Sequence, residues 1–164
     1  MNEQIINGYV QSREQLVIKE NVIEALSLLR PLFGRIIIVT NQQGIGKGIC
    51  TQEAVEDIHQ YLMEYLSERN LPIDRIYYCP HLASDQCDCR KPQTAMAERA
   101  QADFPEIDFR KSIMVGDHLS DLEFGKRCGM KTIFVGRFTF PEHEIILDYA
   151  DYCCYDLFDF ARLI

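Results

Sequence analysis

The sequence predicts an α/β fold in which helices cover both faces of a mostly parallel sheet. Two observations carry that expectation: short β-branched runs alternate with amphipathic stretches, and the polar residues suited to chemistry stand where those runs end. A third bounds it, because 164 residues can bury one proper core, so a single domain over 1–164 is expected.

The elements follow in order. Residues 20 to 30 predict a helix that Pro31 ends or bends, since proline lacks the amide and crowds the preceding turn. "RIIIVT" (35–40) is the first strand. Residues 51 to 69 place Val55, Ile58, Leu62 and Leu66 on one helical face, with Thr51 as N-cap and Glu53 in the first turn. "RIYYC" (75–79) is the second strand, and Pro92 suits the first turn of a helix over roughly 92–102. "SIMVG" (112–116) is the third strand. Ser120 and Glu123 form a capping-box pair for the next helix, which Gly129 can end. "KTIFVG" (131–136) and "DYCCY" (151–155) complete the strands, the first, third and fourth being apolar enough for cover on both faces. In such sheets ligands collect at the carboxyl ends of strands. Thr40 and Asn41, the cysteine-rich loop and Asp117 stand at three of those ends, so one shared crevice is expected.

Composition excludes several classes. A net charge of −8 argues against a general nucleic-acid binder, because phosphate backbones attract the opposite sign. The longest apolar runs are far shorter than the roughly 20 residues of a membrane span, so no membrane partner is expected. "MNEQIINGYV" has no cationic start before a long apolar run and reads as no secretory leader. Seven cysteines without such a leader fit a cytoplasmic protein, where cysteine clusters hold metal or do chemistry. Cys50, Cys128, Cys153 and Cys154 read as core or near-surface thiols.

Three stretches can carry chemistry. In "CPHLASDQCDCRKP" (79–92), Cys79, His81, Cys87 and Cys89 supply three sulfurs and an imidazole, a ligand set for tetrahedral Zn²⁺. Four protein ligands leave no open position, so such a zinc is structural and shapes the loop. Arg90 and Lys91 follow at once, and two fixed cations can hold a phosphoryl group, Arg90 by its planar fork and Lys91 as a point charge. In "SIMVGDHLSD", Asp117 leaves a buried strand and can bind Mg²⁺, which keeps water and substrate oxygens in its shell; Asp121 complements the dipole of the following helix. "VTNQQGIGKG" offers the Thr40 hydroxyl and a glycine-rich loop, and is no Walker motif because Gly48 follows Lys47.

Together "IIIVTNQQGIGKG", "YYCPH", "CDCRKP" and "IMVGDHLSD" resemble the zinc-containing branch of the haloacid dehalogenase superfamily of phosphatases, from about Asn7 to the end. "VTNQ-x-GI-x-x-G" and "IYYCPH" resemble the D,D-heptose 1,7-bisphosphate 7-phosphatases, the preferred relative, whereas the compact cysteine loop is closer to the histidinol-phosphate phosphatases. The resemblance implies a Rossmann-like fold without a large cap, and a Mg²⁺-dependent phosphomonoesterase working through an aspartyl-phosphate on a small phosphorylated metabolite. It implies that Thr40 orients the phosphoryl group, that Lys91 neutralises it, and that Asp117 binds Mg²⁺. Asn41, Gln42, Arg90 and His118 would contact substrate. A monomer is expected.

Two departures stand out. His118 follows Asp117 where the heptose phosphatases usually carry Lys, and imidazole bears a full charge only when protonated. The family's nucleophile and acid/base sit in a D-x-D-G motif ending its first, central strand, and no such motif occurs in the 164 residues. "MNEQIINGYV" resembles the segment just after it, so the chain is expected to begin one strand late, with a start assigned to an internal Met preferred over a real truncation. Asp74, Asp85 and Asp88 do not follow strands into the crevice, so the 164 residues are expected to lack the covalent step. The competing class is a non-catalytic phosphate- or partner-binding module. A receiver-like domain leaves the metal-ligand cluster without a role, and a zinc-ribbon nucleic-acid protein conflicts with the acidic charge.

Overall fold

A computed structural model describes residues 1–2, 8–137 and 143–164, which fall into two units, Met1–Cys87 and Asp88–Ile164. Part of the opening "MNEQIINGYV" reading falls on residues 3–7, outside the described residues.

In the first unit, helix α1 (Val22–Leu29) buries Val22, Ala25, Leu26 and Leu29, the one-face spacing of an amphipathic helix. It stops at the Arg30 C-cap, one residue before Pro31. Strand β1 (Ile37–Asn41) is followed by a short helix α2 (Gln43–Gly46), α3 (Gln52–Ser67) and β2 (Arg75–Cys79). The Thr51 hydroxyl accepts from the Ala54 amide at 3.2 Å, and α3 buries Val55, Ile58, Leu62 and Leu66 as its sequence spacing predicts. Strands β1 and β2 pair in parallel, from Ile37 opposite Arg75 to Asn41 opposite Cys79. Asp74 holds their entry: it accepts from the Ile36 amide at 2.8 Å and pairs with Arg35 at 2.8 Å and Arg30 at 3.4 Å.

Two expectations change here. The stretch after β1, read as a glycine-rich loop, contains the short helix α2. Strand β1 is half-buried along its whole length instead of covered on both faces; among the described residues it pairs with β2 alone, and a two-stranded ribbon offers less cover than a wide sheet.

The second unit comprises α4 (Ala95–Asp103), β3 (Ile113–Gly116), α5 (Leu119–Cys128), β4 (Lys131–Val135), α6 (His143–Tyr149), β5 (Tyr152–Cys154) and α7 (Leu157–Leu163). Its sheet has the order β3-β4-β5, parallel throughout, with Thr132, Ile133 and Phe134 of β4 fully covered. Strand β3 is only half-buried apart from Met114, short of the cover expected, because among the described residues only β4 flanks it. Helix α5 lies close on this sheet through Gly125, where a Cβ would come within 2.7 Å of both Thr132 and Met114. Gly129, at φ +76°, ends the helix as its sequence predicts.

Two helix starts differ from expectation. Helix α4 begins at Ala95, not Pro92, because the Arg90 carbonyl accepts from the Gln93 amide at 2.8 Å and closes a turn ahead of the helix. Helix α5 is capped at His118, not Ser120, since the Asp121 carboxylate reaches back to the His118 amide at 3.2 Å. Among the described residues no helix is long and apolar enough to cross a membrane.

The start of β4 is tied to the approach to β5 by a polar knot. Fully buried Thr132 donates its amide to Asp151 Oδ2 at 2.8 Å and its hydroxyl to the Tyr149 carbonyl at 2.6 Å, while Lys126 pairs with Asp151 Oδ1 at 2.9 Å. The Lys126 bond, followed by those from Thr132, lowers the Asp151 pKa to about 2 against the opposing effect of burial. A carboxyl group whose pKa is depressed by folding contributes stability above its unfolded value, near 3.8, and loses it as pH falls through about 2. Asp151→Ala should therefore lower unfolding free energy at neutral pH by on the order of 2 kcal/mol, with the gap to the unsubstituted chain narrowing from pH 4 towards pH 2. Denaturant unfolding across that range checks it, and a gap constant with pH contradicts it.

Candidate functional site

In the first unit the parallel register sets Asn41 beside Cys79, so the segments leaving β1 and β2 start side by side. The Gln42 amide donates to the Cys79 carbonyl at 2.7 Å, and the Gly46 amide to the Pro80 carbonyl at 3.0 Å. Gly46 is glycine for space: a Cβ there would lie 2.9 Å from the Pro80 oxygen and 3.1 Å from Leu82. Gln42 also donates from Nε2 to the Thr40 hydroxyl at 3.2 Å. That bond uses an acceptor site of the oxygen and leaves its O–H to donate elsewhere.

The cysteine loop leaves β2 with Cys79 buried and its sulfur 3.6 Å from His81 Nδ1 and 3.5 Å from Cys87 Sγ. The Leu82 amide donates to Asp85 at 2.9 Å, and Gln86 turns the chain at φ +50°, which brings Cys87 back. Two residues further along the same loop is Cys89, also buried, and the four ligand atoms all lie within 4.8 Å of one another. Tetrahedral zinc at ordinary bond lengths requires edges of about 3.8 Å between sulfurs and about 3.6 Å between sulfur and nitrogen. Cys79 meets both within a few tenths of an ångström, so the donor set and spacing fit zinc. Of the other four cysteines, burial pushes the thiols of Cys50, Cys153 and Cys154 up, and that of Cys128 to about 11.

In the second unit the end of β3 gathers a cation and two carboxylates. Lys91 Nζ lies 2.6 Å from Asp121 Oδ1, with both side chains about 10 % exposed or less. Asp117, the residue after β3, is exposed, and its Oδ1 lies 2.7 Å from His118 Nδ1. The Asp117 bond raises the His118 pKa above the ordinary imidazole value, against partial desolvation. An exposed carboxylate within 4.8 Å of a buried lysine–aspartate pair can take a hydrated divalent ion, since Mg²⁺ prefers one or two carboxylates and keeps its waters.

Sequence reasoning singled out each of these residues but missed how Asp121 is used. The helix-dipole reading accounts for its place in the first turn of α5 and not for its burial or its lysine. The one signal was its spacing, one helical turn beyond Asp117. Asp74 and Asp85, set aside as nucleophiles, have structural partners: Asp74 in its arginine cluster and Asp85 on the Leu82 amide.

Comparison with known proteins agrees with this geometry. The HAD-hydrolase-like family model matches residues 88–157. A D-glycero-D-manno-heptose-1,7-bisphosphate 7-phosphatase of Chlorobaculum tepidum is 43% identical over 141 residues, 79% of this chain and 71% of the relative. The D-glycero-beta-D-manno-heptose-1,7-bisphosphate 7-phosphatase of Haemophilus influenzae is 33% identical over 152 residues, 87% and 82% of the two chains. Among solved structures, D,D-heptose 1,7-bisphosphate phosphatase from B. bronchiseptica, complexed with magnesium and phosphate, superposes with a TM-score of 0.83 at 23% identity, covering 99% of this chain and 90% of that one. That likeness shows the shared fold. On the strength of the two relatives, the chain belongs to the family of the heptose-1,7-bisphosphate 7-phosphatases within the haloacid dehalogenase-like hydrolases.

Proposed function

We propose that this protein is a cytoplasmic, Mg²⁺-dependent phosphatase acting on D-glycero-D-manno-heptose 1,7-bisphosphate at the 7-phosphate, through a domain spanning 1–164. The observation that carries the reading is Lys91, a nearly buried ammonium paired with Asp121, whose carboxylate lies within 4.8 Å of that of exposed Asp117 at a strand end. Phosphoryl transfer needs little from a protein beyond positioning and charge neutralisation, and that arrangement supplies both.

The roles follow from the chemistry of each group. The Thr40 hydroxyl, its lone pair already engaged by Gln42, donates its proton to a phosphoryl oxygen. Lys91 balances charge on the transferred group, and Arg90, on the same loop, offers its fork to substrate oxygens. Asn41 and Gln42 contact substrate from the end of β1, and His118, oriented by Asp117, donates a hydrogen bond. Asp117 is the residue that would hold Mg²⁺, which when bound polarises phosphoryl oxygens as a Lewis acid. Cys79, His81, Cys87 and Cys89 would hold a structural zinc that stiffens the loop delivering Arg90 and Lys91. The family resemblance implies an attacking carboxylate in a D-x-D-G motif, and no such motif occurs in the 164 residues.

Measurements of turnover, of a Lys91 variant and of metal content test the reading. Phosphate release should be Mg²⁺-dependent when a D-x-D-G strand is joined ahead of Met1, and close to background for residues 1–164 alone. In the extended protein the heptose bisphosphate should be preferred over histidinol phosphate by at least about tenfold in kcat/KM. Equal release by both forms, or preference for histidinol phosphate, contradicts it. In the extended protein, Lys91→Ala should lower kcat on the order of 10²- to 10³-fold, as expected for a group that stabilises transition-state charge. Protein prepared without chelator should carry about one equivalent of zinc by elemental analysis and melt at lower temperature once stripped of it. Metal-free protein with an unchanged melting temperature removes the structural-zinc assignment.

A further inference from the structure

We infer that Cys87 and Cys79 form a peroxide-sensitive thiol pair, in which the sulfur of Cys87 is oxidised first and the sulfur of Cys79 closes a disulfide on it. Release of zinc by that bond rests on the structural zinc proposed above; the bond itself does not.

Both residues belong to the first unit, and their sulfurs lie 3.5 Å apart. A disulfide is about 2.05 Å long, so closure asks for an approach of about 1.5 Å. Exposure divides the roles. Cys79 is fully buried and Cys89 is 4 % exposed, whereas Cys87 is half-buried, so of the three clustered cysteines it is the one that a small oxidant in water meets. The stretch between the two sulfurs is already folded back. The Asp85 amide donates to the Leu82 carbonyl at 3.2 Å, the Leu82 amide donates to Asp85 Oδ2 at 2.9 Å, and Gln86 reverses the chain in the left-handed region at φ +50°. Little loop entropy therefore remains to be lost on closure.

The chemistry balances with hydrogen peroxide as the oxidant. The Cys87 sulfur attacks one peroxide oxygen, the O–O bond breaks, and a sulfenic acid and one water result. The Cys79 sulfur then attacks the sulfenic sulfur, the S–S bond forms as the S–O bond breaks, and the oxygen leaves as a second water. Two electrons pass from the sulfurs to the peroxide oxygens, and any protons the thiolates lack come from solvent. Other pairings fit less well. A bridge from Cys87 to Cys89 would span one intervening residue and close a small ring, whereas Cys79 and Cys87 enclose residues 80–86. Cys153 and Cys154 are neighbours in β5, where successive side chains leave opposite faces of the sheet. Burial raises the Cys50 thiol pKa and pushes that of Cys128 to about 11, which leaves both little thiolate to react. The Cys79–Cys87 bond would take two of the four donors, and His81 with Cys89 does not complete a tetrahedral site, so the bridge and bound zinc exclude one another.

The test exposes the unsubstituted 164-residue chain, prepared without chelator, to hydrogen peroxide and alkylates it before digestion with trypsin. Peptide 76–90, bounded by Arg75 and Arg90, holds all three cysteines of the cluster. It should lose two hydrogens and keep Cys89 as its one alkylated sulfur, at least about tenfold faster than Cys50 or Cys128 is oxidised. A chromophoric chelator should record about one equivalent of zinc released per bridge, and a dithiol should restore all three alkylatable sulfurs. In Cys79→Ser, where the second step is blocked, dimedone should label Cys87 as its sulfenic acid. The inference is overturned if the bridge joins Cys87 to Cys89, if dimedone labels Cys89 in place of Cys87, or if peptide 76–90 stays unchanged while Cys50 and Cys128 oxidise. If the chain carries no zinc and the bridge between Cys79 and Cys87 still forms, the thiol pair stands and the structural-zinc assignment falls.

Discussion

An ammonium and a carboxylate held 2.6 Å apart, each about 10 % exposed or less, constrain how the second unit is built. Removing two opposite charges from water costs several kcal/mol per ion, and only close pairing and further hydrogen bonds offset that cost. The constraint spreads from there. Asp121 must sit in the first turn of α5, strand β3 must end in a residue without a side chain, and the Lys91 side chain must reach the end of that strand. The His118 cap follows from the same carboxylate, which is why the helix starts earlier than a Ser120 cap allows.

The sheet that supports this pair is held by a second polar feature placed differently. Thr132, Asp151 and Lys126 join β4 to the approach to β5 through hydrogen bonds that leave no buried side-chain polar atom without a partner among the described residues. A half-satisfied network would cost more than an apolar replacement, so its completeness is what makes it stabilising. The apolar core around Leu122, Phe134 and Ile146 fills in beside it, with Gly125 letting α5 lie close to the sheet.

In the first unit the governing contacts are short backbone bonds between two loops. Gln42 and Gly46 donate to the carbonyls of Cys79 and Pro80, so the residues after β1 lean on the beginning of the cysteine loop. A loop that brings the side chains of Cys79, His81, Cys87 and Cys89 within 4.8 Å of one another gains from such a fixed edge, because each residue restrained by the backbone lowers the entropy cost of gathering them.

Much of this was legible in the chain alone. The five strands, the buried face of α3, the Gly129 stop and the clustering of Cys79, His81, Cys87 and Cys89 in one loop all follow from periodicity, capping chemistry and spacing, which are local properties. The family is also written there, in blocks of residues at strand ends. Interactions that join distant positions were not legible. Asp121 looks like an ordinary first-turn acid until Lys91, thirty residues earlier, is brought against it, and Asp151 looks like the plain first residue of a strand until Thr132 and Lys126 surround it. Even the start of α4 was settled by a turn in which the Arg90 carbonyl takes the Gln93 amide, not by the propensity of Pro92. Sequence determined which elements form and which groups are available, because both depend on neighbours in the chain. Tertiary structure alone decided which charge meets which, because burial and ion pairing depend on neighbours in space.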